Sequence, residues 1–158
     1  MAAPTPTARG TPSGIKLKDG YQSLITFAAS TTISLWEKTV TPPGLDGGEP
    51  VVQTTMHNTQ WRTMAPRALI TMTPHTFTAA YDPAVYSSIL SLLNVETTVT
   101  VTFKDGSTLA FYGFLQKFEP AAMSEGTQPE ATVTICPTNF DYVNKVEAAP
   151  VLTSVSGT

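Results

Sequence analysis

The sequence holds one cysteine, Cys136, and two histidines, His57 and His75. A single thiol cannot close an intrachain disulfide, so burial and backbone pairing must hold the fold together. The same scarcity removes the common metal sites. The two histidines do not stand at HxH or HxxxH spacing, and a zinc centre would have to borrow scattered carboxylates. Charge is scarce too. Asp, Glu, Lys and Arg together make up 13% of the 158 residues, about half the ordinary globular share. The net charge is −3, which argues against electrostatic capture of nucleic acid, since that requires clustered Lys and Arg. No apolar run approaches the roughly 20 residues that span a bilayer. The opening Met-Ala-Ala-Pro-Thr-Pro-Thr lacks the apolar stretch of a secretory signal. The chain is therefore expected to be made in a reducing cytoplasm, without membrane contact.

Catalytic constellations are missing as well. No serine sits in a Gly-x-Ser-x-Gly elbow. Glu119, Glu125 and Glu130 fall in a turn-rich connection rather than at paired-carboxylate spacing. No glycine run precedes a helix to cradle phosphate, and aromatics are not interleaved with basic residues as in a single-strand binding platform. Cys136, beside Val133 and Ile135, reads as a small half-buried strand residue. The expectation is a protein that is not an enzyme and needs no cofactor or metal.

What the chain does have is 27 threonines and an ordinary 41% of hydrophobic residues. Threonine is β-branched and enriched in strands. Few charges with normal hydrophobicity suggest a surface largely covered by other protein. Residues 1–14, rich in Pro, Thr, Ala and Gly, have almost nothing to bury and read as a flexible arm, as do residues 146–158. Between them, residues 15–145 are expected to form a single mainly β domain.

Period-two alternation marks its strands. Tyr21, Ile25 and Phe27 share a face; Ile33 and Leu35 oppose Trp36; Ala68, Ile70 and Met72 alternate with Arg67, Leu69 and Thr71; Phe77, Ala79 and Tyr81 follow Pro74. One helix is predicted over 83–93, with Asp82 as N-cap, Pro83 at its first position and Asn94 as a left-handed stop. Val85, Ile89, Leu92 and Leu93 form its stripe, widened by Tyr86 and Leu90. The strongest strand runs from Val95 to Phe103, turns at Lys104-Asp105-Gly106-Ser107 and returns through Phe118. A three-residue turn closing on a bulged Gly106 would pair Val101 with Leu109 and Val99 with Phe111, joining the apolar sets. Tyr112, Phe114 and Phe118 then lie on the opposite face, which would need a second cover from the helix or from a neighbouring subunit. A last strand over 130–136 puts Ala131, Val133 and Ile135 inward.

Residues 39–66 do not fit a small compact domain. Pro42-Pro43-Gly44 and Asp46-Gly47-Gly48 are loop chemistry, yet Val51, Val52, Met56, Trp61 and Met64 follow, as in a β-hairpin arm turning near His57-Asn58. Connections this long are uncommon unless functional or disordered, and Trp and Met are typical interface anchors. The arm either projects to dock on another subunit or folds over its own domain. In the first case Val51, Val52, Met56, Trp61 and Met64, with Tyr112 and Phe114, are the candidate subunit-interface residues.

The order of these parts resembles the tail tube (major tail) proteins of siphovirus-type bacteriophages. The segments that carry the likeness are Pro74-His75-Thr76-Phe77 leading to Tyr81-Asp82-Pro83, then Val99 through Ser107, then Phe111 through Pro120, within roughly residues 15–140. The resemblance implies a β-sandwich or half-barrel with one short packed helix, a long projecting loop and flexible terminal arms. It implies homohexameric rings whose inner strands join into a barrel, stacked into a hollow tube that DNA crosses during ejection without specific binding. Tape-measure, tail-terminator and tail-tip proteins would be further partners, and the virion tail its place. Glu96, Asp105 and Glu119 would be lumen or rim charges. The competing class is a virion- or cell-surface adhesion or carbohydrate-binding β-sandwich, in which Trp36 or Trp61 would stack on sugar.

Overall fold

The computed structural model of the protein describes residues 23–30, 33 and 35–155. The expected 1–14 arm and the placement of Tyr21 lie outside the described residues. In chain order the strands begin with β1 (Leu24–Phe27) and β2 (Trp36–Thr41), followed by the short β3 (Leu45–Asp46), β4 (Val51–Val52), β5 (Met64–Ala65) and β6 (Thr71–Met72). Next come β7 (His75–Ala80), a 3-10 turn over Pro83–Val85, and the helix α1 (Tyr86–Leu92). The chain continues with β8 (Thr97–Thr102), β9 (Thr108–Pro120), β10 (Glu130–Pro137), β11 (Phe140–Asp141), β12 (Val146–Glu147) and β13 (Val151–Thr153).

One antiparallel sheet dominates, in the order β1-β8-β9-β10-β7-β2, with β13 also paired to β9. It curls without closing: β1 and β2 share no ladder, but the Glu37 carboxylate accepts the backbone N–H of Ile25 at 3.0 Å across the seam. The expected half-barrel with one short helix is the observed form. Every second residue points inside. Phe27, Phe77, Val99, Val101, Leu115, Val133 and Ile135 are fully buried, with Ile89 and Leu92 of α1 in the same core. The outer face carries threonine in cross-strand rows, Thr41–Thr76–Thr134 and Thr39–Thr78–Thr132. That placement explains the threonine content: a β-branched side chain suits the pleat, and its hydroxyl suits a half-covered face.

The β8–β9 hairpin has the register that apolar matching demands, Val99 opposite Phe111 and Val101 opposite Leu109. Phe103 N–H donates to Ser107 O, Gly106 N–H donates to Phe103 O, and Gly106 sits at φ +85°, so only glycine adopts the bulge cheaply. The helix starts as its sequence dictates, with an Asp82 side-chain oxygen accepting Ala84 N–H at 2.9 Å, and Asn94 at φ 59° ends it.

Three expectations are corrected. Phe118 does not join Tyr112 and Phe114, because β9 bulges at Gln116: Ile135 pairs with Leu115, but Thr134 pairs with Lys117. The extra residue reverses the parity of the strand and turns Phe118 to the core side, against Tyr86 and Tyr81. The alternation at 67–72 yields a strand only at Thr71–Met72; Leu69 and Ile70 stay exposed, with no sheet beneath them. Residues 146–153 form β12 and β13 rather than an unstructured arm. They bury little, but β13 takes the edge of β9 that β10 leaves open, so backbone hydrogen bonds order it.

Candidate functional site

The stretch between β2 and β7 is an arm built of its own hydrogen bonds. Pro42-Pro43 and Pro74 stand at its root, where a missing N–H ends the main ladder. Thr73 N–H donates to Gly44 O, β3 pairs with β6, and β4 pairs with β5. Arg67 Nε donates across the two limbs to Glu49 O. At the tip, Asn58 organises the turn: its N–H donates to Thr55 O, its side-chain oxygen accepts Thr55 N–H at 2.8 Å, and its side-chain nitrogen donates to Trp61 O. The hairpin reading with a turn near His57-Asn58 is thus the observed one. The arm runs on to β6 rather than ending at residue 66.

Its side chains are not used by its own domain. Met56 is fully exposed, Trp61 is 79% exposed, and Val51, Val52 and Met64 are about half exposed or more. Leu45, Leu69 and Ile70 extend the apolar surface and were not anticipated as part of it. In the single chain these side chains stand in water. Exposed apolar area of this extent is characteristic of interaction sites, because water-exposed Trp, Met, Leu and Ile gain free energy only when something covers them.

Tyr112 and Phe114 lie elsewhere, half-buried on the outer face of β9. Tyr112 has contacts within its own chain. The ring of Tyr142 sits edge-on at 5.9 Å, and Thr138 N–H donates to Tyr112 O. The Tyr112 phenol is pushed above its ordinary pKa by burial first and then by the hydrogen-bonded Asp141 carboxylate. Asp141 is held below the usual carboxylate range by the side chain and backbone N–H of Asn144, with Val143 N–H and Tyr112 adding to the effect against burial. The candidate interface residues therefore divide into five on the arm and two on the body, of which Tyr112 already has a partner.

A second apolar surface emerges between α1 and the end of β9 beyond the bulge. It is a cleft of about 300 Å³ lined by Tyr86, Ile89, Leu90, Leu93 and Phe118, together with the polar Gln116, Lys117 and Glu119. Tyr86 and Leu90 are more than half exposed, so the helical stripe read from the sequence is wider than the core needs.

The histidines do different things. His57 is exposed near the arm tip. His75 is fully buried, stacked at 5.8 Å on Phe77 and edge-on to Phe111, with Nδ1 donating to Thr41 O and no partner at Nε2. Burial lowers its pKa, against the opposing pull of the Thr41 carbonyl. Among the described residues no group of three or more His, Cys, Asp or Glu is placed to hold a metal.

No family model matches the chain, and no curated protein matches it. Solved structures do. A chain from the virion of a native gene transfer agent particle superposes with TM-score 0.58 at 13% identity, covering 87% of this chain and 100% of that one. A chain from the tail of an empty gene transfer agent particle, refined helically with C6 symmetry, gives 0.59 at 11% identity with the same coverage. The fold is one found in tail particles. A chain from the six-fold symmetrised baseplate of an anti-feeding prophage gives 0.55 at 5% identity, over 83% of this chain and 90% of that one. At these identities the likeness is one of fold.

Proposed function

We propose that the chain is a structural subunit of a phage-type tail, which closes into rings of six and stacks them into the hollow tail tube through which DNA passes during ejection. The observation that carries this is the arm: a hydrogen-bonded hairpin whose Val51, Val52, Met56, Trp61 and Met64 are exposed, on a fold shared with tail particles. Ring closure covers strand edges that would otherwise template aggregation, and stacking is an open, heterologous contact that yields a filament. Six copies per ring agrees with the C6 symmetry of one of the similar assemblies. Tyr112, Phe114 and the five arm residues are the proposed subunit contacts. The subunit is made in the host cytoplasm and resides in the virion tail, where tape-measure, terminator and tip proteins meet the tube. It carries no catalytic role, and its charge-poor threonine face suits a wall past which DNA moves.

Trp36, at 71% exposure on β2, and Trp61 on the arm both stand in water and report assembly directly. Raising the concentration of purified protein should give fast-sedimenting species together with a blue shift of tryptophan fluorescence as Trp61 is covered. A shift produced by added glycans on a protein that stays monomeric would support the adhesion class instead.

A further inference from the structure

We infer that the cleft between α1 and the far end of β9 receives the arm tip of a second copy, with Trp61 of that copy as the inserted side chain. This rests on the arm's serving as the assembly element and adds the surface it meets. Both halves are present and unoccupied by each other in one chain: Trp61 is 79% exposed and Leu90, on the cleft wall, is 64% exposed. The chemistry fits. Ile89, Leu93 and Phe118 offer an apolar floor, and Tyr86 an aromatic wall. A dry cavity of about 150 Å³ takes a benzene ring, so about 300 Å³ accommodates the larger indole bicycle. Glu119 in the lining supplies an acceptor for the indole N–H and an opposite charge for Arg62, the residue next to Trp61. Lys117 shares the lining and keeps the cleft near neutral overall, so the arm must approach with Arg62 on the Glu119 side.

Reach fits too. From Gly44 at the root to Asn58 at the tip, about 14 residues at ~3.3 Å each extend roughly 45 Å. A domain of ~100 residues is only about 35 Å across, so even an arm shorter than this extended limit has the length to reach a neighbouring copy. The cleft itself exists because of the Gln116 bulge. That bulge turns Phe118 under the helix, and the β8–β9 ladder reaches no further along β9 than Gly113, opposite Thr97.

The test is photo-crosslinking of the full chain with benzoylphenylalanine in place of Trp61, in assemblies mixed from ¹⁵N-labelled and unlabelled copies, mapped by mass spectrometry. The expected products join position 61 of one copy to residues 86–93 or 116–119 of a copy with the other label. Links between copies at other sites overturn the cleft while leaving arm-mediated assembly standing; a lack of links between copies overturns both. In parallel, Leu90→Glu changes an exposed side chain, so its melting curve should match the wild type, while the concentration needed for assembly rises about tenfold or more. Assembly of that variant at wild-type concentration contradicts the inference.

Discussion

Glu37 and Ile25 close the seam of the curled sheet without a strand pair. The Glu37 carboxylate, half-buried on the core side of β2, accepts the Ile25 N–H of β1 at 3.0 Å. Ser30 N–H donates to Phe27 O at the other end of β1, so this strand's edge is partly satisfied by its own chain. Side-chain capping of an edge is one way to keep a strand from pairing indiscriminately. Glu37→Ala should lower stability by about 1–3 kcal/mol, as expected for a lost hydrogen bond to a charged group with an N–H left unpaired. It should also increase disordered aggregation, measured by urea unfolding and light scattering. An unchanged unfolding midpoint would show that the seam does not depend on this bond.

Gly113 is where β9 and β10 come too close for a side chain. A Cβ there would lie 2.7 Å from the Cys136 carbonyl oxygen, a backbone atom with no rotamer to escape into. Gly113→Ala should cost about 1–3 kcal/mol through overpacking, read as a drop in melting temperature.

His75 gives the fold an acid limit. Its folded pKa lies below its ordinary value of 6.5, so the unfolded chain binds the proton more readily. Stability from this site is fully present above about pH 6.5 and is lost as pH falls toward the folded pKa. Protonating Nε2 would place an unpartnered N–H and a charge against Phe77 and Phe111. Melting temperature should therefore fall on acidification below pH 6.5, and His75→Gln should flatten that dependence whatever it costs at neutral pH.

The arm should be removable. Asp46 pairs with Thr71 at its base, so replacing residues 47–70 with Asn-Gly leaves a two-residue hairpin that closes naturally. Because the excised side chains are exposed, circular dichroism and melting should change little while assembly is abolished. A deleted protein that still polymerises would remove the arm from the mechanism.

Much of this is legible in the sequence for a physical reason: local chemistry fixes it. Asp105-Gly106 with flanking alternation determined the β8–β9 register, and Asp82-Pro83 and Asn94 bounded the helix. The exposed Val51, Met56 and Trp61 were recognisable because a long connection full of large apolar residues has no place in a small core. The Gln116 bulge was not readable, since a one-residue insertion has no composition of its own, and with it went the side assigned to Phe118 and the cleft beneath α1. Leu69 and Ile70 misled because alternation signals a strand only where a sheet lies opposite. Residues 151–153 were missed because β13 is held by backbone pairing to β9, which leaves no hydrophobic trace.

Negative-stain electron microscopy of the concentrated full-length protein tests self-assembly most directly. Stacked annuli with a central hole and six-fold projections are predicted. Single dispersed domains at every concentration would contradict it.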